Sequence, residues 1–309
     1  MTDVDTALRC SAWAREVELS PIGTVGSYRG FLLVETPLPW PRDVAEIAVL
    51  QAAAERAAAT GYRLQALVPA DLGAPPQERR VIAHTTSGGA FSGYTRRQTQ
   101  VGESLAAALD ALLDPADPPE ATTQVDLLVC THGRRDVCCG SQGTDLALRL
   151  AAAGTSPGVA LWRTSHTGGH RFAPTVLALP QGTGWAFMDP ATVEQVLTRA
   201  VPFSEVADHY RGCAGLEGPQ AQALEREVLI EVGWELLDRP RRGFLTGETT
   251  ADGGLVARLE AGVDQWEAVV RPGRTLPVPD CMKPLSESVK SETEWLVGGL
   301  RSLSGTASS

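Results

Sequence analysis

The first third of the chain switches between two hydrophobic patterns, one typical of buried strands and one typical of helices. Residues 30–36, "GFLLVET", are a continuous apolar run that predicts a buried strand. The stretch after them repeats apolar residues at helical spacing, between Asp43 as a candidate N-cap and Gly61 as a C-terminal stop. Similar patterns predict strands at 62–70, 79–86 and 91–99 and a second helix at 102–113. The order of elements in this region is therefore β-α-β-β-β-α.

The same order of elements recurs further along the chain. Residues 114–123, "DPADPPEATT", have the Pro- and Asp-rich composition of a linker. Beyond them the pattern predicts a strand that ends at "LLVCT" and a helix that stops at Gly154. Three strand-like runs follow, and then a helix with Asp189 as its N-cap and Pro190 in its first turn.

Both repeats begin alike, with "LLVET" at 32–36 and "LLVCT" at 127–131. Together with the repeated order of elements, this similarity indicates two copies of one α/β unit, which we predict to be thioredoxin-like. Glu35 stands where Cys130 stands, so only the second copy would carry ligands and the first would be a pseudo-copy. The hypothesis requires residues 30–113 to have the same strand order as the second unit.

The pattern changes after about residue 203. Residues 219–238 predict a strong helix, and three strand-like runs follow it, with Asp252-Gly253 in one turn. The Ser-, Glu- and Thr-rich end of the chain has the composition of a mobile tail. We therefore predict an α/β fold class with two thioredoxin-like units and a small α+β extension. The predicted boundaries are 1–120 and 121–202 for the two units, 203–281 for the extension and 282–309 for the tail.

Composition and charge narrow the partners and the location. The 309 residues carry a formal net charge of −10, which disfavours binding to nucleic acid or to an anionic membrane. No apolar run approaches the length of about 18 residues that a transmembrane helix requires. The acidic N-terminus, "MTDVDTALRCSAWAREVE", lacks the apolar region of a secretion signal, so we expect a cytoplasmic location. These properties leave both a monomer and a homodimer open.

The strongest chemical signal is a group of cysteines in the second unit. The segment "CTHGRRDVCCG" contains Cys130, Cys138 and Cys139, and His166 and His170 follow in "SHTGGHRFAP". Cysteines of a cytoplasmic protein rarely form structural disulfides, so this group near two histidines indicates a metal site or a reactive thiol. The three other cysteines, which are isolated in the sequence and are interpreted as structural, are Cys10, Cys213 and Cys281.

The spacing of these residues leaves several kinds of site open. A loop of eight residues can bring Cys130 and Cys139 to one ion, and the positive end of the next helix favours a thiolate near Cys138 or Cys139. Two thiolates and two imidazoles suit zinc or an iron–sulfur cluster about equally. Structural zinc sites use cysteines about two to four residues apart, and Rieske clusters use interleaved spacings, so neither pattern is matched. A thiol pair formed by the adjacent cysteines is a further alternative.

These motifs resemble the sucrase/ferredoxin-like family. The resemblance rests on "CTHGRRDVCCGSQG", on "LWRTSHTGGHRFAPTVLALPQGTGWA" and on the outlying "LLVETPLPW" and "YRG", and it covers most of the chain. It implies a thioredoxin-like ferredoxin with a 2Fe-2S cluster held by two cysteines and two histidines. The ligands that it implies here are Cys130, Cys139, His166 and His170. The resemblance favours Cys139 over the adjacent Cys138 as the second thiolate.

Such a site implies an electron carrier more than a stand-alone enzyme, and it requires a redox partner protein. Two neutral imidazoles in place of thiolates raise the potential of the cluster from about −400 mV toward roughly −150 to +300 mV. Loss of a proton from the non-ligating imidazole nitrogen predicts a pH-dependent potential. The alternatives are a zinc-stabilised binding module with the same four ligands and a thiol redox enzyme that uses Cys138 and Cys139.

Three arginines and one histidine near the motif each have two interpretations. Arg134, Arg135 and Arg171 either raise the potential and dock an acidic partner or form ordinary solvated surface. His132 is interpreted as a support for the ligands or as a surface residue. His84 has no partner visible in the sequence and is expected to be structural.

Overall fold

The central feature of the structure is a mixed sheet of nine strands. This computed structural model describes residues 8–71, 79–113 and 123–303, so the linker predicted at 114–123 lies almost entirely outside the described residues. The strands are β1 (Gly30–Glu35), β2 (Tyr62–Pro69), β3 (Arg80–Thr85), β4 (Thr95–Gln100), β5 (Val125–Cys130), β6 (Val159–Thr164), β7 (Val176–Leu179), β8 (Thr183–Trp185) and β9 (Tyr210–Cys213). They lie in the order β4-β3-β1-β2-β6-β5-β7-β8-β9.

The two halves of this sheet repeat one strand order. The first half runs β4-β3-β1-β2, and the second runs β8-β7-β5-β6 when it is followed from the opposite edge. In each half one pair of neighbours is parallel, β1 with β2 and β5 with β6. The other neighbouring strands within each half are antiparallel. The register is also shared, because Glu35 lies opposite Leu67 as Cys130 lies opposite Thr164. Residues 30–113 therefore have the strand order that the predicted duplication requires.

The halves meet edge to edge through antiparallel pairing of β2 with β6. Leu67 on β2 lies opposite Thr164 on β6. These two residues occupy corresponding positions in the two halves, so the contact between the halves is symmetric at this pair. Apolar side chains from both halves, among them Leu33, Leu128 and Trp162, belong to one buried cluster. Strands enclosed on both faces are rich in apolar residues, as in β1 and in β5, where Asp126 is the exception. The cysteine loop after β5 therefore starts from a rigid, enclosed strand.

Six α-helices lie in the described part of the chain: α1 (Cys10–Glu16), α2 (Gln51–Thr60), α3 (Leu105–Leu113), α4 (Thr144–Ala153), α5 (Pro190–Thr198) and α6 (Pro219–Val232). Gly61 closes α2 in the left-handed region with a φ of 70°, and the Asp189 side chain caps α5, both as predicted. The helix predicted from Asp43 is wrong in its first part. Asp43 caps only a short 3-10 turn, because Ile47 is extended and α2 begins at Gln51.

A second, antiparallel sheet lies beyond α6. Its strands are β10 (Arg241–Thr249), β11 (Leu255–Ala261), β12 (Asp264–Val278) and β13 (Lys290–Ser302), in that order. The mobile tail predicted for 282–309 is wrong over much of its length, because β13 pairs with β12. Trp295, Val297 and Leu300 on this strand pack against the core. The Ser- and Glu-rich composition concealed this short apolar alternation.

The protein is thus a mixed α/β molecule with one large mixed sheet and one small sheet. The predicted helix at 219–238 ends at Val232, because Gly233 adopts a φ of 88°. Among the described residues, no helix has both the length and the apolarity to cross a membrane.

A buried charge network joins the two halves of the large sheet. Asp126 on β5 accepts hydrogen bonds from His84 Nε2 at 2.8 Å and from Arg96 Nε at 2.6 Å. The indole of Trp162 also donates to this carboxylate, at 3.0 Å. Although burial alone would raise it, the hydrogen bonds from His84 and Arg96 lower the pKa of Asp126. His84 is therefore structural, with a partner from the other half of the sheet that the sequence did not reveal.

Candidate metal centre

The cysteine loop after β5 is held by a carboxylate at the start of a helix. Residues 137–153 are helical, with a π-helical turn at Cys139–Gly143 that continues into α4. Asp136 Oδ1 accepts the backbone N–H groups of Cys138 at 2.8 Å and of Cys139 at 3.2 Å. This arrangement is an N-cap, so both cysteines lie in the first helical turn. The positive end of the helix favours the thiolate form there.

Close backbone contacts explain the glycines of this loop. A Cβ atom on Gly143 would lie 1.9 Å from the carbonyl oxygen of Cys130, and a Cβ atom on Gly140 would lie 2.4 Å from the Cα of Gly133. None of these three glycines has a positive φ. Their contribution is therefore the missing Cβ, which lets the helix start lie directly on the end of β5.

Cys130 interacts with two other predicted ligands, although no three of the four have their donor atoms within 4.8 Å of one another. Cys130 and Cys139 are completely buried, and their thiols share a hydrogen bond. His166, just after β6, interacts with the Cys130 thiol. The hydrogen bond from Cys139, with support from His166, lowers the pKa of Cys130, while the same hydrogen bond and burial raise the pKa of Cys139. Cys130 is therefore the thiol of this pair that ionises first.

His170 approaches the same region from a short 3-10 turn. Its ring centroid lies 6.1 Å from that of His166. Its Nδ1 lies 2.9 Å from Oδ2 of Asp136, which leaves Nε2 as the nitrogen that can bind a metal. Gly168 and Gly169, with φ values of 86° and 63°, make the bend between the two histidines.

One nitrogen of the site lacks a partner. Among the described residues, none forms a hydrogen bond with the buried Nδ1 of His166. A buried polar atom without a partner is costly and requires an explanation, such as a bound ion or water.

His132 supports the histidine segment from inside the protein. Its Nε2 donates to the carbonyl oxygen of Pro41 at 2.8 Å, and its Nδ1 accepts the backbone N–H of His166 at 3.2 Å. The ring packs edge-on against Trp40, with centroids 5.8 Å apart. Burial lowers the pKa of His132, which favours the neutral ring that these hydrogen bonds require. Of its two interpretations, the structure supports the buried supporting role.

The three arginines near the motif differ from one another. Arg134 and Arg135 are exposed, whereas Arg171 is buried and forms an ion pair with Glu292 on β13. The guanidinium of Arg171 also lies 4.4 Å from the ring centroid of Phe172. Of these three arginines, Arg171 alone therefore places a fixed, desolvated charge next to the histidine segment.

Sequence reasoning missed a second buried cation, Arg211. Its guanidinium donates to Thr24 Oγ1 at 3.0 Å and to the Thr24 carbonyl at 2.7 Å, and it fills the space that a Cβ on Gly169 would occupy. Burial, followed by the nearby charge of Arg171, lowers the pKa of Arg211 to about 10. The side chain is therefore still charged at neutral pH. The "YRG" motif contains this residue and was the available signal.

Two of the cysteines interpreted as isolated are not isolated. Cys281 Sγ lies 2.9 Å from Cys138 Sγ and 3.1 Å from Cys10 Sγ. Asp136 borders the group, with its Oδ2 3.4 Å from Cys10 Sγ. The sequence could not show this group, because Cys10 and Cys281 are 271 positions apart.

The adjacent cysteines therefore belong to different groups. Cys139 interacts with Cys130, whereas Cys138 interacts with Cys10 and Cys281. This divergence disfavours a redox pair formed between Cys138 and Cys139. Cys213 is buried elsewhere, with its Sγ 3.4 Å from Arg241 Nη2.

The comparison with known proteins agrees with the position of these motifs. The profile of the sucrase/ferredoxin-like family matches residues 21–212, which are more than half of the chain and include all four predicted ligands. Cys10 and Cys281 lie outside the matched residues. No curated protein and no solved structure matches the chain. On the strength of the family match, the chain belongs to the sucrase/ferredoxin-like family.

Proposed function

We propose that this protein is a carrier of single electrons whose 2Fe-2S cluster is held by Cys130, Cys139, His166 and His170. The observation that carries the proposal is the interaction of the buried Cys130 thiol with Cys139 and His166 at the end of β5, with the His170 ring 6.1 Å from that of His166. The repeated strand order supports a thioredoxin-like assignment for each half, with the second half as the ferredoxin unit.

The residues present fit such a group in two respects. First, two sulfur and two nitrogen donors are a set that suits an iron–sulfur centre. Second, the buried Nδ1 of His166 lacks a hydrogen-bond partner among the described residues, as expected of a nitrogen near a metal position. The hydrogen bond between the Cys130 and Cys139 thiols would be replaced when both sulfurs bind metal.

The chain itself fixes the protonation of one histidine. Asp136 accepts a hydrogen bond from Nδ1 of His170, so the proton stays on that nitrogen and the ring presents Nε2. A carboxylate in this position orients a histidine ligand and makes it more basic. In the described part of the chain no carboxylate is hydrogen-bonded to the buried Nδ1 of His166, and the backbone of this residue is held by His132 and Arg63. The proton that is taken up on reduction is therefore assigned to His166.

When bound, the cluster would take up and release one electron at a time, at a potential in the upper part of the ferredoxin-to-Rieske range. The buried cations Arg171 and Arg211 add positive charge beside the site, which favours the reduced state. Arg171 is compensated by Glu292, so Arg211 contributes the less compensated charge.

The electron must be exchanged with a partner protein, in a compartment that we take to be the cytoplasm. A cavity of about 320 Å³ opens next to His132 and His166, and it is lined in part by Arg42, Arg63 and Arg135. The Arg63 guanidinium donates to the backbone carbonyl of His166 at 2.7 Å. A basic rim beside a ligand histidine suits an acidic redox partner, since complementary charge increases the rate of association.

The test is the iron, sulfide and zinc content of full-length protein purified without oxygen, together with its electron paramagnetic resonance spectrum. We expect two irons and two sulfides per chain and a rhombic signal on reduction. Cys139→Ser should lose this iron, whereas Cys138→Ser should keep it. A potential that rises as the pH falls between about 10 and 6 would support the role of His166.

Two results would contradict the proposal. If these four residues bind zinc in protein from an iron-replete host, the site is a structural zinc site in a binding module. If Cys138→Ser loses the iron and Cys139→Ser keeps it, the ligand set is wrong. A potential that is flat over the same pH range would remove the proton-coupled part alone.

A further inference from the structure

Three thiols from three distant parts of the chain meet at the first turn of the helix that begins after Asp136. Cys10 comes from α1, Cys138 from the cysteine loop, and Cys281 from the connection between β12 and β13. Cys10 and Cys138 are completely buried, and Cys281 is partly buried. We propose that these three sulfurs and the Asp136 carboxylate bind a zinc ion, at a second site beside the first.

The distances suit an ion better than a covalent bond. The Sγ atoms of Cys281 and Cys138 are 2.9 Å apart and those of Cys281 and Cys10 are 3.1 Å apart, beyond the disulfide length of about 2.05 Å. Two sulfurs about 2.3 Å from one tetrahedral zinc lie roughly 3.8 Å apart, so binding requires the thiols to spread by less than about 1 Å. One donor atom from each of the four residues already lies within 4.8 Å of the others.

The donor set selects a borderline or soft metal. Three thiolates and one carboxylate oxygen make four ligands, which is the coordination number of structural zinc. Asp136 is held in place for this role, because its Oδ1 accepts two backbone N–H groups of the helix start. Its Oδ2 lies 3.4 Å from Cys10 Sγ, closer than Oδ1 at 3.7 Å.

Two hydrogen-bond donors outside the group of thiols are directed at these sulfurs. The backbone N–H of Cys10 donates to Cys281 Sγ at 3.3 Å, and Ser11 donates to Cys138 Sγ. Donors of this kind stabilise a metal-bound thiolate, as they do in other sulfur-ligated sites. On binding, the thiols release their protons to solvent.

The zinc site would link the segments around Cys10 and Cys281 to the region of the first site. Met282 N–H donates to the Leu8 carbonyl at 2.8 Å, so the two terminal segments already lie side by side. Cys10 and Cys281 lie outside residues 21–212, the part that matches the family profile. The second site therefore joins the family core to its flanking segments, and two of its members, Asp136 and Cys10, lie 2.9 Å and 3.5 Å from Nδ1 of His170.

The inference does not depend on the proposed electron transfer, because the sulfurs of the two sites are different. The experiment measures metal content in full-length protein and in single variants produced with both iron and zinc supplied. We expect one zinc ion per wild-type chain, and loss of that ion in Cys281→Ser and in Cys10→Ser. Cys139→Ser should keep the zinc, and so should Cys213→Ser, which changes a buried cysteine that lies outside both groups.

A spectroscopic titration covers the case in which a variant fails to fold. Co²⁺ added to metal-depleted wild-type protein should give the visible and near-ultraviolet absorption of a tetrahedral thiolate site, and added Zn²⁺ should abolish it. The same titration on metal-depleted Cys139→Ser should give the same bands, whereas in Cys281→Ser the thiolate band should weaken or vanish.

Two results would overturn the second site. One is zinc retained at the wild-type level by both Cys281→Ser and Cys10→Ser. The other is wild-type protein without zinc in which two of the three thiols resist alkylation until a reductant is added, since that result indicates a disulfide. Zinc that is lost only in Cys139→Ser would place the ion in the first site, and it would contradict the iron–sulfur proposal as well as the second site.

Discussion

The two halves of the large sheet share a strand order and differ in chemistry. Cys130 ends β5 and starts the loop that leads to Cys139. Glu35 ends β1 at the equivalent register position, and its carboxylate pairs with Arg80, with Oε2 3.0 Å from the arginine Nε. Leu67 in the first half corresponds to Thr164 in the second half. Two residues further along the chain, the first half has Pro69 where the second half has the predicted ligand His166.

The comparison shows which part of the fold creates the site. Both halves supply a buried strand end of the same geometry, so the sheet alone does not make a metal centre. The second half adds a loop whose glycines allow a helix start to lie on that strand end, and a bend that carries two histidines. The first half has an ion pair at this position, which is a structural contact.

The largest expected effect is the loss of the cluster when Cys130 is replaced, whereas replacement of the equivalent residue Glu35 should not affect it. Cys130→Ser removes the thiol with the lowered pKa, and we expect iron and visible colour to be lost completely. Glu35→Gln, the matched change in the first half, should leave the iron content unchanged. Metal analysis of both variants checks this. Full loss of iron in Glu35→Gln would show that the halves cooperate in binding.

The next largest effect concerns the charge network that joins the halves. Asp126→Asn leaves His84 and Arg96 buried without their carboxylate, which should lower the free energy of unfolding by about 3–5 kcal/mol at neutral pH. Asp110→Asn removes an exposed ion pair with Arg56 inside the first half and should cost less than about 1 kcal/mol. Denaturant unfolding of the two variants measures this difference.

The same variant has a defined pH dependence. Because the folded pKa of Asp126 lies below its ordinary value of 3.8, its contribution is complete above that value and is lost as the pH falls through the folded pKa. The gap in stability between wild type and Asp126→Asn should therefore shrink as the pH falls below about 4. A gap that closes already at pH 6 would mean that Asp126 is not the group that titrates.

The smallest of these effects concerns the close approach within the cysteine loop. Gly143→Ala places a Cβ 1.9 Å from the Cys130 carbonyl oxygen, so the helix start must move, at a cost of about 1–3 kcal/mol and with weaker metal retention. Gly102→Ala, before α3 in the first half, meets no atom within 4 Å and should be neutral or slightly stabilising. Thermal unfolding and metal content distinguish the two variants. Equal behaviour of Gly143→Ala and Gly102→Ala would show that the close approach of Gly143 to Cys130 does not matter.

Much of the secondary structure could be predicted from the chain alone. The helix ends at Gly61 and Asp189 follow from local chemistry, because a left-handed stop and a capping carboxylate act within one turn. The helix expected from Asp43 and the tail expected after residue 282 could not be predicted correctly. A 3-10 break and an edge strand depend on the surface against which they pack, and that surface is not local in sequence.

The candidate site divides in the same way. The four ligands proposed for the cluster were visible in the sequence, because each pair lies within one short motif. Arg211 and Asp136 were not recognised, because their significance comes from what they contact across the fold. The separation of Cys138 from Cys139 was also hidden, since two adjacent residues of a helix point in different directions and their partners decide their roles.

The sequence by itself determined the repeated order of elements, the cysteine and histidine motifs and the family to which they belong. These properties depend on periodicity and short spacing, which act over one or two turns of chain. Only the tertiary structure decided that Cys10 and Cys281 meet Cys138, and that His84 pairs with Asp126. Contacts between residues 42 to 271 positions apart arise when sheets and helices pack, and no local pattern encodes them.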